Sequence, residues 1–285
     1  MEILCRNLNE LGEGPVWDPR TQSLFWVDIL KKKVHQLLNH NINTWNTDTH
    51  VGAIALKEDS NLLLAQVNGF YDLNISSGQI SKILTVDESK DTRFNDGKCD
   101  PIGRFWAGTM VYSKKEPLAA FYCLESNTQV TQIFNEVKCS NGLAWNQQLK
   151  KFYYIDTPLR RVDVFDYNDD NTELSNRQIA IDLKDEIGFP DGCCIDAEGM
   201  LWIAFWGGSC VKRYHPQKGE CIKTIQLPRV SKVTSCAFGG ENLNELYITT
   251  ANIEPSSDKS EENAGSLFKI EVDGVKGLSS SFYRG

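Results

Sequence analysis

One phrase recurs along this chain and limits what it can fold into: a small or polar corner, a short strand, a tight turn, and a second strand that is apolar throughout. Its clearest copy is Phe189-Pro190-Asp191-Gly192-Cys193-Cys194-Ile195, then a turn over residues 196–199, then Met200-Leu201-Trp202-Ile203-Ala204. The Pro-Asp-Gly corner and the Asp-to-Gly turn are hairpin chemistry, and they predict two antiparallel strands. The apolar second strand returns as Leu24-Phe25-Trp26-Val27, Leu62-Leu63-Leu64-Ala65, Phe105-Trp106-Ala107-Gly108, Phe152-Tyr153-Tyr154-Ile155 and Leu246-Tyr247-Ile248-Thr249. Successive copies fall about 40 to 50 residues apart, the interval of a four-stranded propeller blade. With the copy at Leu201 there are six, which predicts an all-β fold, a six-bladed β-propeller.

A blade hides both of its faces only against neighbouring blades, so the unbroken repeat predicts a single propeller domain over residues 1–285. Alternating segments such as Val162-Asp163-Val164-Phe165 and Val211-Lys212-Arg213-Tyr214 read as third strands. The last repeat lacks an obvious fourth strand. Either the C-terminus or the N-terminal segment Ile3-Leu4-Cys5-Arg6 can supply it, and the apolar-polar character of the N-terminal segment favours it as the strand that closes the ring. Residues 254–263 are polar and lack aromatics, and they read as a long surface loop.

The first strand of each blade lines the central channel of a propeller, so residues at one repeat phase converge on the axis. The openings of these strands are Glu13-Gly14-Pro15, Val51-Gly52-Ala53, Asn95-Asp96-Gly97, Ser140-Asn141-Gly142, Pro190-Asp191-Gly192 and Thr234-Ser235-Cys236. Four of them carry acid or amide side chains. Taken singly, Asn-Gly and Asp-Gly are ordinary turn sequences; recurrence at one phase is what points to a polar channel site. Asp96 lies one residue out of phase with Asn95 and is expected to point away from the axis unless the strand bulges.

The formal net charge of −8 disfavours nucleic acid and anionic membranes as partners, because phosphate recognition needs a basic stripe. Residues 1–9 show neither the basic start nor the apolar core of a secretory signal, and no apolar run is long enough for a transmembrane helix. Nine cysteines without CxxC spacing read as reduced thiols, which predicts a cytoplasmic protein. The four histidines, His35, His40, His50 and His215, form no HxH or HExxH pattern and are expected at the surface or at strand ends. Ser140 has no G-x-S-x-G setting, which argues against a serine hydrolase.

Taken in order, Gly12-Glu13-Gly14-Pro15-Val16-Trp17, Arg93-Phe94-Asn95-Asp96-Gly97-Lys98, Trp106-Ala107-Gly108-Thr109-Met110, Ser140-Asn141-Gly142-Leu143-Ala144-Trp145, Tyr154-Ile155-Asp156, Pro190-Asp191-Gly192 and Phe238-Gly239-Gly240 resemble the senescence marker protein/regucalcin/gluconolactonase family. The match runs over roughly residues 11–275. The resemblance implies a propeller with one divalent ion (calcium, zinc, manganese or magnesium) that hydrolyses sugar lactones. Family metal ligands fall on Glu13, Asn141 and Asp191, and substrate contacts fall on Arg93 and Asn95. Two carboxylates and an amide oxygen make a hard donor set suited to such ions. Asp191 is the expected general base toward a bound water, and Arg93 and Asn95 offer donors and acceptors to sugar hydroxyls. Where animal members carry a substrate-contacting glutamate this chain has Ser113, with Glu116 nearby, which leaves the preferred lactone open. A calcium-binding regulatory protein of the regucalcin kind shares the same site without turnover. A protein-interaction propeller and a metal-free glycosidase are the remaining alternatives, and the sequence leaves the oligomeric state undetermined.

Overall fold

The computed structural model describes residues 1–86, 91–112, 119–253 and 259–285. Its strands form six four-stranded antiparallel sheets. Each of the first five blades is a meander of consecutive strands. Blade 1 is Gly12–Asp18, Ser23–Asp28, Lys33–Leu38 and Asn41–Asn46; blade 2 is Val51–Leu56, Leu62–Gln66, Gly69–Leu73 and Ile80–Thr85. Blade 3 runs Thr92–Cys99, Phe105–Val111, Ala119–Leu124 and Val130–Val137; blade 4 runs Ser140–Asn146, Lys151–Asp156, Arg161–Tyr167 and Leu174–Asp182. Blade 5 is Phe189–Ile195, Leu201–Trp206, Cys210–His215 and Glu220–Gln226. Blade 6 has Val233–Gly239, Glu245–Thr250 and Leu267–Glu271, and its outer strand is the N-terminal Glu2–Cys5. That strand pairs Glu2 with Lys269 and Ile3 with Phe268, as expected for closure by the N-terminus. Innermost strands lie against those of the flanking blades all the way round, including blade 6 against blade 1.

The packing explains the sequence pattern. Second strands such as Leu201–Trp206 are buried on both faces and so read as continuous apolar runs, whereas outer strands such as Asn41–Asn46 are largely exposed. The core is six separate clusters, each shared by two adjacent blades. Between blades 3 and 4, for example, Trp106 lies 5.9 Å from Phe152 and Phe121 lies 4.9 Å from Tyr154, ring centre to ring centre. Helix is limited, among the described residues, to the three-residue turns Thr157–Leu159 and Lys259–Glu261, and no helix is long and apolar enough to cross a membrane. All nine cysteines are unpaired. His35 departs from the expected surface position: it is 2% exposed and stacks on Trp26 at 5.1 Å.

The turn after the innermost strand of blade 3 is locked by Asp100, which is fully buried. Its carboxylate accepts hydrogen bonds from Trp106 Nε1 at 2.8 Å, from Arg104 Nε at 2.6 Å and from the Arg104 backbone N–H at 2.9 Å. Asp196 repeats the arrangement in blade 5 with Trp202 Nε1 at 2.9 Å and Arg213 Nε at 2.7 Å. Removing one partner of such a pair strands the other in the interior. Asp100→Ala is therefore expected to cost about 3 kcal/mol in equilibrium urea unfolding. A loss below about 1 kcal/mol, the range of a surface ion pair, would show that the network is not structural.

Candidate metal centre

The innermost strand of every blade slips register near its start, between Glu13 and Val16, Val51 and Ala53, Phe94 and Asp96, Asn141 and Leu143, Pro190 and Cys193, and Val233 and Ser235. A bulge inserts an unpaired residue and re-aims the side chains beside it. The slips recur at the start of all six inner strands, and four of them fall at or beside Glu13, Asn95, Asn141 and Asp191. Close approach of neighbouring blades there demands glycine: a Cβ on Gly192 would sit 2.2 Å from Ser235 Oγ, and one on Gly142 would sit 2.9 Å from the Asp191 carbonyl oxygen.

All five residues singled out in the sequence lie on these inner strands, and all are buried. Glu13 accepts the Gly14 N–H at 3.0 Å. Asn141 Nδ2 donates to Thr157 Oγ1 at 2.7 Å, and that hydroxyl donates to the Pro190 carbonyl at 2.8 Å. This chain fixes the Asn141 amide with Nδ2 on Thr157 and Oδ1 on the side of Asn95, an outer-shell anchoring of the kind that orients metal ligands. Asn95 Nδ2 donates to the Ser140 carbonyl at 2.8 Å and to Asn141 Oδ1 at 3.1 Å, while its Oδ1 accepts from Arg93 Nη1 at 2.8 Å. Both ends of the Asn95 amide are thus engaged within the protein, and the residue acts as a bracket between Arg93 and Asn141. Arg93 Nη1 also donates to the Phe94 carbonyl at 2.9 Å, and Arg93 Nε is buried without a partner.

Asp96 meets the exception allowed for it in the sequence. The strand does bulge between Phe94 and Asp96, Asp96 is 6% exposed, and it is near enough to Glu13 and Asp191 for its charge to disturb both. Its Oδ1 accepts the Gly97 N–H at 2.7 Å. The sequence held a signal for it, since Glu13-Gly14, Asp96-Gly97 and Asp191-Gly192 are one repeated acid-glycine pair. Cys139 and Thr157 carry no comparable signal. Cys139 Sγ lies 3.7 Å from Nδ2 of both Asn95 and Asn141. His50 and Tyr112, joined by a 2.9 Å hydrogen bond, sit close enough to Arg93 to feel its charge. Ser113 and Glu116 lie outside the described residues.

Electrostatically the site is short of positive charge. Burial, and then the charge of Asp96, push the Glu13 carboxyl up to about 8 against the opposing pull of the Gly14 N–H and Arg93. Burial, then Glu13 and Asp96, hold Asp191 well above the ordinary carboxylate range. Burial lowers the affinity of Arg93 for its own proton. These acids cannot all ionise cheaply without another cation. Two carboxylates, an oriented amide oxygen and a charge deficit together fit a hard divalent ion. Among the described residues no three His, Cys, Asp or Glu side chains gather to hold an ion by themselves, so the donor set depends on the amide.

A pH dependence follows for the metal-free protein. Glu13 binds its proton more tightly in the folded chain than in the unfolded one, so folding takes up a proton between the ordinary value of 4.5 and about 8. Stability is therefore fully present below that window and is lost as pH rises through it. Urea unfolding in chelator at several pH values checks this; stability that climbed from pH ~5 to ~8 would contradict the assigned environment.

The opposite end of the channel holds a cavity of about 130 Å³ lined by Trp145, Phe238, Leu278 and Lys98 among others. Its walls are mainly apolar, and neither Glu13 nor Asp191 reaches it.

Comparison with known proteins agrees with fold and site. A sequence profile described as the SMP-30/Gluconolactonase/LRE-like region matches residues 11–252. Regucalcin of Danio rerio is 38% identical over 291 aligned positions, covering 100% of this chain and 98% of that protein. A luciferin-regenerating enzyme structure superposes with a TM-score of 0.91 at 32% identity, covering 99% of this chain and 97% of its own. A structure described as a calcium-binding protein, regucalcin, from Agrobacterium tumefaciens gives 0.93 at 26% identity over 99% and 97% of the two chains. The chain therefore belongs to the SMP-30/regucalcin/gluconolactonase family of six-bladed propellers.

Proposed function

We propose that the protein is a divalent-metal-dependent lactonase that opens small sugar lactones to aldonic acids. The observation that carries this reading is the charge-deficient trio of Glu13, Asp191 and the oriented Asn141 oxygen, set beside a buried Arg93 with an unused Nε donor. Glu13, Asn141 and Asp191 would hold the ion, which is calcium, zinc, manganese or magnesium. Such an ion supplies polarisation of the lactone carbonyl and a lower pKa for water.

The chain's own groups account for the remaining steps. Arg93 Nε and its free guanidinium edge donate to a ring oxygen or hydroxyl and orient the lactone. Asp191 takes the proton from the attacking water as its oxygen bonds to the carbonyl carbon. The acyl C–O bond then breaks, and the proton passes to the departing alkoxide, leaving the ring-opened acid. A carboxyl whose proton affinity is raised above the ordinary carboxylate range suits both halves of that transfer. Nine unpaired thiols support action in the cytoplasm.

A calcium-binding regulatory role is the second reading, favoured by the all-oxygen donor set and by the Agrobacterium tumefaciens relative described as calcium-binding. Turnover separates the two. A panel of aldonolactones assayed with each of the named ions tests the enzyme. Arg93→Ala is expected to lower kcat/KM ten- to a hundredfold, about 1 to 3 kcal/mol, with metal affinity retained and a smaller loss for lactones lacking hydroxyls. Equal relative losses on hydroxylated and unsubstituted lactones would remove Arg93 from polyol recognition.

A further inference from the structure

Blade 3 differs from the other blades that bear site residues by one side chain. After Glu13, Asn141 and Asp191 the next residue is glycine: Gly14, Gly142 and Gly192. After Asn95 it is Asp96, and glycine follows one place later at Gly97, where a Cβ would meet Phe105 at 2.8 Å and Ala107 at 2.9 Å. The crowding that forces glycine has moved along the strand by one residue. The bulge at Asn95 accommodates that shift and leaves blade 3 with a carboxylate directly after its site residue, where blades 1, 4 and 5 have glycine.

Three observations fix the surroundings of Asp96. It is 6% exposed, and Oδ1 is anchored by the Gly97 N–H at 2.7 Å. Its charged neighbours on one side are Glu13 and Asp191. On the other side is Lys98, whose Nζ is held by the carbonyl oxygens of Leu143 at 3.0 Å and Cys193 at 2.6 Å, from blades 4 and 5. The Lys98 ammonium is thus fixed by backbone acceptors and does not close onto the acids as a simple ion pair. Asp96 directly follows Asn95, whose Nδ2 donates to Asn141 Oδ1 at 3.1 Å, and its own carboxylate is anchored to the Gly97 N–H beside that ligand.

Resting on the reading that Glu13, Asn141 and Asp191 take a divalent ion, we propose that Asp96 is a positioning residue for that ion: an outer carboxylate that brings the acid charge of the site from −2 to −3 and accepts a hydrogen bond from ion-bound water. Outer groups of this kind change metal affinity by about 10- to 100-fold, and a third negative charge selects divalent over monovalent cations.

The test is titration calorimetry of the metal-free full chain with Mn²⁺ and with Ca²⁺. Asp96→Asn keeps an acceptor for the Gly97 N–H, so a purely structural role leaves affinity unchanged. The proposal expects affinity for both ions to fall about 10- to 100-fold, while the thermal midpoint of the metal-free protein rises because a buried like charge is gone. Asp96→Ser, a smaller residue that keeps a hydroxyl acceptor, is expected to show the same loss. Affinity within twofold of the wild type in Asp96→Asn, with binding abolished in Asp191→Asn, would overturn the role of Asp96 alone. A wild-type chain that binds neither ion would overturn the metal reading beneath it, and the proposal with it.

Discussion

Asp191→Asn is expected to lower kcat/KM for aldonolactones by about three orders of magnitude, roughly 4 kcal/mol of transition-state stabilisation. The residue is asked to do two things, hold the ion and accept the proton of the attacking water, and an amide does neither as well. Glu13→Gln removes only the first of these and is expected to lose activity mainly through occupancy, so that high metal concentration restores part of its turnover while Asp191→Asn stays inactive. Both substitutions relieve crowding among buried acids, so the fold should survive them, with circular dichroism still dominated by strand. Full turnover in Asp191→Asn at saturating metal would remove this carboxylate from the chemistry.

The second large effect is on stability. Glu13 and Asp191 are buried near Asp96, with Arg93 the cation lodged among them, and the folded chain bears that strain whenever the site lacks a further cation. An ion that binds the folded chain and not the unfolded one adds about 4 kcal/mol at a thousand times its dissociation constant. Urea midpoints measured in chelator and in excess Ca²⁺ or Mn²⁺ are expected to differ accordingly, with the difference growing as pH rises through about 8, where Glu13 releases its proton and competition for the ligand weakens. Coincident midpoints at every pH would mean that the cluster is balanced without an ion.

The architecture was legible in the sequence because a blade's second strand must be apolar on both faces. That requirement writes Leu-Trp-Ile-Ala and its relatives into the chain at a fixed interval, as the wholly buried Ser23–Asp28 and Leu62–Gln66 show. Closure by the N-terminal strand was legible for a related reason, since the last blade was one strand short. The phase of the site residues was legible too, because Glu13, Asn95, Asn141 and Asp191 open innermost strands. The register slips were not. A bulge is a property of the backbone pairing, so alternation alone could not say that the strand slips beside Asn95 and brings Asp96 near enough to Glu13 and Asp191 for its charge to act on both. The family resemblance implies a substrate contact at Asn95, yet in the folded chain Arg93, Ser140 and Asn141 already engage both ends of its amide. Thr157 escaped notice because it reaches the site from the segment after a second strand, a place that no inner-strand phase describes.

The most direct test of a divalent-metal lactonase centre at Glu13, Asn141 and Asp191 is aldonolactone hydrolysis by the wild-type chain after exhaustive chelation, followed by return of one equivalent of calcium, zinc, manganese or magnesium in separate reactions. The predicted result is loss of turnover on chelation, recovery with at least one of the four ions, and no recovery in Asp191→Asn. Turnover untouched by chelation, or no aldonolactone opened with any of the four, would contradict it.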